Sequence, residues 1–271
     1  MNDVLWPAEP RPLLDRTGYQ VEVEDDFADP ELNTKLWIPY YLPQWSSRQA
    51  AAARYVIREG QLVLRIEAEQ PPWNQDVDGW LRVSSLQTGV FSGPPGSALG
   101  QHRFDERLVV REEQDRSALY TPLYGLFEIR ARGIADSNNM CACWMIGFDD
   151  EPGRSAEICL FELFGSAIGP DRSEVRMGLH PFGDPSVTDE FSTEILAMDA
   201  TAFHTYAAEW TPSYVAFYVD DRLIKVSRQS PAYPMQFMLN IYEFADGAAL
   251  EPADGYPKEF VVDFFRGYRR A

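Results

Sequence analysis

The sequence is poor in cysteine, in histidine, in positive charge and in long apolar runs, and each shortage excludes something. Three cysteines, an odd number, do not make a disulfide framework and suit a reducing compartment. No hydrophobic stretch approaches the roughly 20 residues that a bilayer span needs. The longest, Met140 to Phe148, stops at Asp149-Asp150. Basic residues number 24 against 42 acidic ones, a formal net charge of −18. So acidic a surface repels phosphate backbones and anionic headgroups, so neither nucleic acid nor a membrane is an expected partner. The segment Met1–Pro7 carries no basic start and no apolar stretch of signal-peptide length, which points to the cytoplasm.

What the chain does have is hydrophobic mass in short alternating runs. Of 271 residues, 45% are hydrophobic, enough for a large core, and all-β sandwiches reach this size as one unit. Residues 1–20 hold several prolines and little periodicity, which predicts an N-terminal arm ahead of a single domain over 21–271. Leu62-Val63-Leu64-Arg65-Ile66 and Phe127-Glu128-Ile129-Arg130-Ala131-Arg132 alternate with period two, the mark of half-buried strands. Tyr214–Val219, Asp220-Asp221 and Arg222–Val226 predict a hairpin, and Phe260–Phe265 a closing strand. Helical periodicity is scarce. Segments 69–101 and 181–199, rich in Pro, Gly, Asp and Ser, read as long loops of the kind that carry function or are poorly ordered. The expected fold is an all-β sandwich of two antiparallel sheets, as a monomer.

The stretch that carries chemistry is Ala156-Glu157-Ile158-Cys159-Leu160-Phe161-Glu162-Leu163-Phe164-Gly165. Two carboxylates interrupt an otherwise apolar strand, where burying an unpaired acid is costly. Glu157 and Cys159 share a face, but Glu162, five residues on, has the wrong parity unless one β-bulge intervenes. Four effective steps then cover about 13 Å. Carboxyls leaning together from that distance would approach about 5–6 Å, near the separation of a retaining glycosidase.

Glu157-x-Cys159-x-x-Glu162 resembles the E-x-D-x-x-E signature of glycoside hydrolase family 16, the laminarinase-type β-glucanases. Other segments resemble the family in the same order. Phe27–Trp37 is similar to its opening strand and turn, Tyr124–Arg132 to its YGxFEARxK strand, and Cys143–Gly147 to its FWLLG strand. Phe203–Pro212, continuing to Tyr218-Val219-Asp220, is similar to its FHTYAxEWTP…YVDG hairpin, and Val262–Tyr268 to its VDYVRVY strand. The resemblance spans roughly residues 24–269 and implies a concanavalin A-like β-jelly roll with a carbohydrate cleft on the concave sheet.

It further implies a retaining, endo-acting hydrolase of a β-linked polysaccharide, first of all β-1,3-glucan, with a carbohydrate-binding protein on the same scaffold as the alternative. Glu157 would be the nucleophile and Glu162 the acid/base. Cys159 departs from the family's Asp. A thiol is a weak donor and a poor acceptor, so slow turnover is expected. Trp144 would stack on a sugar ring, beside Met140 where the family has a tryptophan. His180, Asn240, Tyr242 and Arg116 would contact sugar, while Glu243-Phe244-Ala245-Asp246 replaces a family segment bearing glycine and tryptophan. Cys141 and Cys143 should face the core, and His204 should pack structurally. His102 has no assigned role. No cofactor is required, although Asp263 and Gly60 fall where relatives hold a structural calcium.

Overall fold

Alternation in the sequence becomes strand pairing. In β3 (Gln61–Ile66), Leu62, Leu64 and Ile66 enter the central core, as do Phe127, Ile129 and Ala131 of β7 (Gly125–Arg132). The computed structural model describes residues 5–151, 153–244 and 255–271. The larger sheet runs β14 (Arg222–Ser227), β13 (Val215–Val219), β12 (His204–Trp210), β7, β16 (Lys258–Arg270), β3, β2 (Arg54–Arg58), with β1 (Tyr19–Asp25) also paired to β16. The smaller runs β11 (Ser192–Leu196), β10 (Ser173–His180), β9 (Glu157–Phe164), β8 (Asn139–Gly147), β15 (Met235–Glu243), β4 (Arg82–Gln87). A short ribbon, β5 (Gly89–Val90) with β6 (Ser117–Ala118), stands apart. Neighbours within each sheet are antiparallel, giving the jelly-roll sandwich.

Aromatic side chains from the two sheets meet between them. Phe127 of β7 packs edge-on against Phe237 of β15 at 5.0 Å, and Phe161 of β9 lies 4.2 Å from Tyr206 of β12. Each such side chain, fully buried, contributes about 1.5–3 kcal/mol. Cys141 and Cys143 of β8 join this core, as their parity requires. In the expected hairpin, Asp220 and Asp221 have φ of 48° and 64°, the left-handed pair that closes a two-residue turn with the strands' own twist. His204 contacts that turn, its Nδ1 2.6 Å from Asp220 Oδ2, on the sheet away from the cleft.

Three expectations need correction. β1 begins at Tyr19, so the proposed boundary after residue 20 falls inside a strand. The described residues just before it are docked: Leu14 packs with Leu126, Tyr218 and Tyr268, and Arg16 pairs with the buried Glu128 and with Asp221. Proline content hid a segment held by side-chain contacts rather than by periodicity. Within the supposed loop 69–101 lies β4, buried on both faces. Its run Val83-Ser84-Ser85-Leu86 shows no apolar alternation because the buried Ser84 is satisfied across the sandwich, donating to the Arg65 carbonyl of β3 at 2.6 Å. Likewise β11 sits within the supposed loop 181–199.

Candidate active site

An extra residue in β9 builds the site. Cys159 stands opposite Trp144 of β8, and Phe161 opposite the adjacent Cys143, so Leu160 is a bulge. Beyond it Glu162 returns to the face of Glu157 and Cys159, as the motif spacing requires. On the β10 side, His180, Gly178 and Arg176 stand opposite Glu157, Cys159 and Glu162. Gly178 meets the bulge with φ +138°, and a Cβ there would lie 2.3 Å from the Glu190 carbonyl oxygen.

One oxygen of Glu157, the Cys159 sulfur and one oxygen of Glu162 all lie within 4.8 Å of one another. Burial, then the charge of Glu162, then that of Asp189, hold the Glu157 carboxyl well above the usual range. Burial also raises Glu162, which His180 and Arg176 partly offset. Cys159 is raised by burial and by both glutamates, so its thiol stays protonated.

The other side chains fall on the same face in register. Trp144, Ala142 and Met140 of β8 lie between β9 and Met238, Asn240 and Tyr242 of β15. Asn240 is fully buried and neither amide atom has a partner. Tyr242 hydrogen-bonds with Tyr41, whose ring meets it edge-on at 5.6 Å. His180 Nδ1 lies 2.8 Å from Asp189 Oδ2, and its ring packs 4.2 Å from Phe191.

Three assignments change. Trp144 is only 5% exposed, and the imidazole of His102 lies 5.0 Å from it, covering the ring expected to receive sugar. Arg116 is held on the rim by Asp150 at 2.8 Å, with its guanidinium 4.6 Å over the Phe148 ring, rather than at the two glutamates. Asp263 is 2.6 Å from the Arg130 guanidinium, and Gly60 is a turn residue with φ 69°. Calcium needs six to eight oxygen ligands, and a carboxylate already engaged by a guanidinium does not fit that demand. Ala245 and Asp246 lie outside the described residues.

Sequence inspection missed Tyr41, Arg176, His102 and Phe182. Arg176 was reachable, because it shares a strand face with His180. Tyr41 and His102 arrive on remote loops and left no local signal. A second aromatic group closes the Glu162 end, where Phe164 stacks on the exposed Phe244 at 6.1 Å and Arg176 lies 4.1 Å over Phe164.

The chain is similar to several known proteins. A β-glucanase of Rhodothermus marinus is 28% identical over 179 residues, covering 54% of this chain and 57% of its own. The structure of a GlcNAcα1-4Gal-releasing endo-β-galactosidase from Clostridium perfringens superposes with TM-score 0.82 at 30% identity, covering 98% of this chain and 66% of that one. A laminarinase from Flavobacterium sp. UMI-01 gives TM-score 0.64 at 18% identity over 92% of this chain and 100% of that one, a likeness of fold. The chain thus spans little more than half of the curated relative and just under two thirds of the galactosidase. The family model for glycosyl hydrolases family 16 matches residues 116–254, just over half of the sequence and the stretch that contains both glutamates, so the chain belongs to that family.

Proposed function

We propose that the protein is a retaining, endo-acting hydrolase of a β-linked polysaccharide, with Glu157 as nucleophile and Glu162 as acid/base. The observation that carries this is the approach of the two carboxyls to within 4.8 Å on one bulged strand. Retaining enzymes place them about 5–5.5 Å apart, whereas inverting ones leave about 6.5–9.5 Å for a water. Glu157 attacks the anomeric carbon as the bond to the leaving oxygen breaks, and Glu162 gives that oxygen its proton. Water then attacks the same carbon, Glu162 takes a proton from it, and the Glu157 carboxylate is released. Burial and the charge of Glu162 oppose the ionised Glu157 that the first step needs, and the adjacent Cys159 thiol is only a weak donor to that carboxylate. Turnover is correspondingly slow.

Asn240, with an unpartnered buried amide, is a hydrogen-bonding group awaiting a sugar hydroxyl. His180 and Tyr242 flank the glutamates, while Arg116 acts from the rim. The resemblance to laminarinases favours β-1,3-glucan as substrate. A second reading, a galactose-containing β-glycan, is favoured by the stronger likeness to the endo-β-galactosidase. Reducing-end release from laminarin and from β-galactans, with Glu157→Gln as the control, tests both. Release by the wild type alone supports the hydrolase. Oligosaccharide binding without release from any β-glucan or β-galactan would instead identify a binding protein on this scaffold.

A further inference from the structure

His102, which the catalytic scheme does not use, lines a cavity of about 400 Å³ beside the Glu157 end of β9. The cavity is bounded by His102, Phe104 and Phe182, and by Asp149, Ser155 and Gly183. It joins the catalytic row through contacts on two sides. His102 packs on Trp144, which stands opposite Cys159, and Phe182 lies 5.8 Å from His180, which stands opposite Glu157.

Its chemistry is that of a sugar site. The Phe182 side chain is 47% exposed, an apolar ring left in water at a polar rim. His102 meets it edge-on at 4.6 Å, and the His102 Nδ1 is buried with no hydrogen-bond partner. A buried ring nitrogen without a partner costs free energy until a ligand supplies one. Burial, with the charge of His180 second, lowers the imidazole to about 3, so it faces the ligand neutral. Ser155 Oγ accepts from the Gly183 amide at 3.0 Å and keeps its own proton to give. Asp149 adds a carboxyl that burial raises to about 7.

We propose that this cavity is an additional subsite for one neutral pyranose unit of the glycan that occupies the catalytic row. The proposal rests on the carbohydrate-hydrolase reading and names a part of its substrate. The sugar's apolar C–H face lies on Phe182, and its hydroxyls meet His102 Nδ1, Ser155 Oγ and the Asp149 carboxyl. The volume lies within the range of about 300–1,000 Å³ typical of small-molecule pockets, so a single ring is accommodated. Anionic sugars are disfavoured. Arg103 at the rim is already committed to the carbonyls of Leu108 and Glu106, and the Asp149 carboxyl repels negative charge whenever it is ionised.

The three histidines give separate readouts: His102 in the cavity, His180 in the cleft and His204 on the far sheet. The Cε1–H resonances of the full chain, assigned with His102→Gln, are followed by NMR during titration with glucose, galactose, N-acetylglucosamine and glucuronate. At least one neutral sugar is expected to shift the His102 signal in a saturable way, with His204 unmoved and glucuronate without effect. Phe182→Ala should weaken that binding about tenfold, the size of one lost stacking platform. No shift at His102 with any neutral sugar, or equal binding by Phe182→Ala, overturns the subsite. Failure of the hydrolase reading is distinguishable, because it would show as absent polymer cleavage whether or not the His102 signal moves.

Discussion

Gly178 stands directly opposite Cys159 across the β9–β10 ladder, at the point where Leu160 is inserted. Its φ of +138° and the closeness of the Glu190 carbonyl leave no room for a side chain. Gly178→Ala is therefore expected to destabilise the fold by about 1–3 kcal/mol, the cost of a non-glycine residue in a sparsely populated backbone region. It should also disturb the spacing of the glutamates, lowering kcat more than it raises KM. Denaturant melts and steady-state kinetics check both. An unperturbed protein would show that the ladder tolerates a different path at the bulge.

Glu157→Gln is expected to abolish hydrolysis and yet stabilise the protein at neutral pH. Glu157 has a folded-state pKa raised by burial and by Glu162, so its stability contribution is complete below the unfolded carboxyl value and is lost as pH rises through the folded value. The amide cannot ionise and escapes that loss. The gain should be roughly 1 kcal/mol at pH 8, the size common when a destabilised functional group is neutralised. It should shrink toward zero near pH 4, where both proteins are uncharged at this position. Melting temperatures across that range decide the matter, and a variant less stable than wild type at pH 8 would contradict it.

Cys159→Asp is expected to raise kcat, by about tenfold if the added carboxyl acts as a proton partner for Glu157. The thiol it replaces is fully buried and kept protonated by both glutamates. Polymer hydrolysis is the measurement. An unchanged or slower rate would show that the surroundings have accommodated sulfur.

Asn240→Ala should lower kcat/KM about tenfold, the loss of one or two buried hydrogen bonds to substrate. Stability should not fall, because the wild-type amide has no partner to lose. A lower melting temperature with unchanged kinetics would make Asn240 a structural residue.

Local pattern sufficed wherever one face of a strand was buried and the other wet. The alternation in Phe127–Arg132, the Asp220-Asp221 turn and the parity argument for a bulge near Glu162 each match the paired strands. It failed at β4, because a strand buried on both faces, with the Ser84 hydroxyl satisfied by a strand of the other sheet, has no polar side to reveal the period. It failed again at Trp144. Spacing gave the correct face, but spacing carries no information about His102, which comes from a loop some forty residues earlier in the chain to cover the ring.

Period and motif are local quantities, and they were enough for the two-sheet sandwich, for the strand that carries Glu157 and Glu162, and for the family to which the chain belongs. The deeper burial of Glu157, the group that overlies Trp144, the engagement of Asp263 by Arg130 and the docking of Leu14 and Arg16 emerge only once the chain is folded. Burial and electrostatic coupling depend on groups brought together from distant parts of the chain, and no local pattern encodes them.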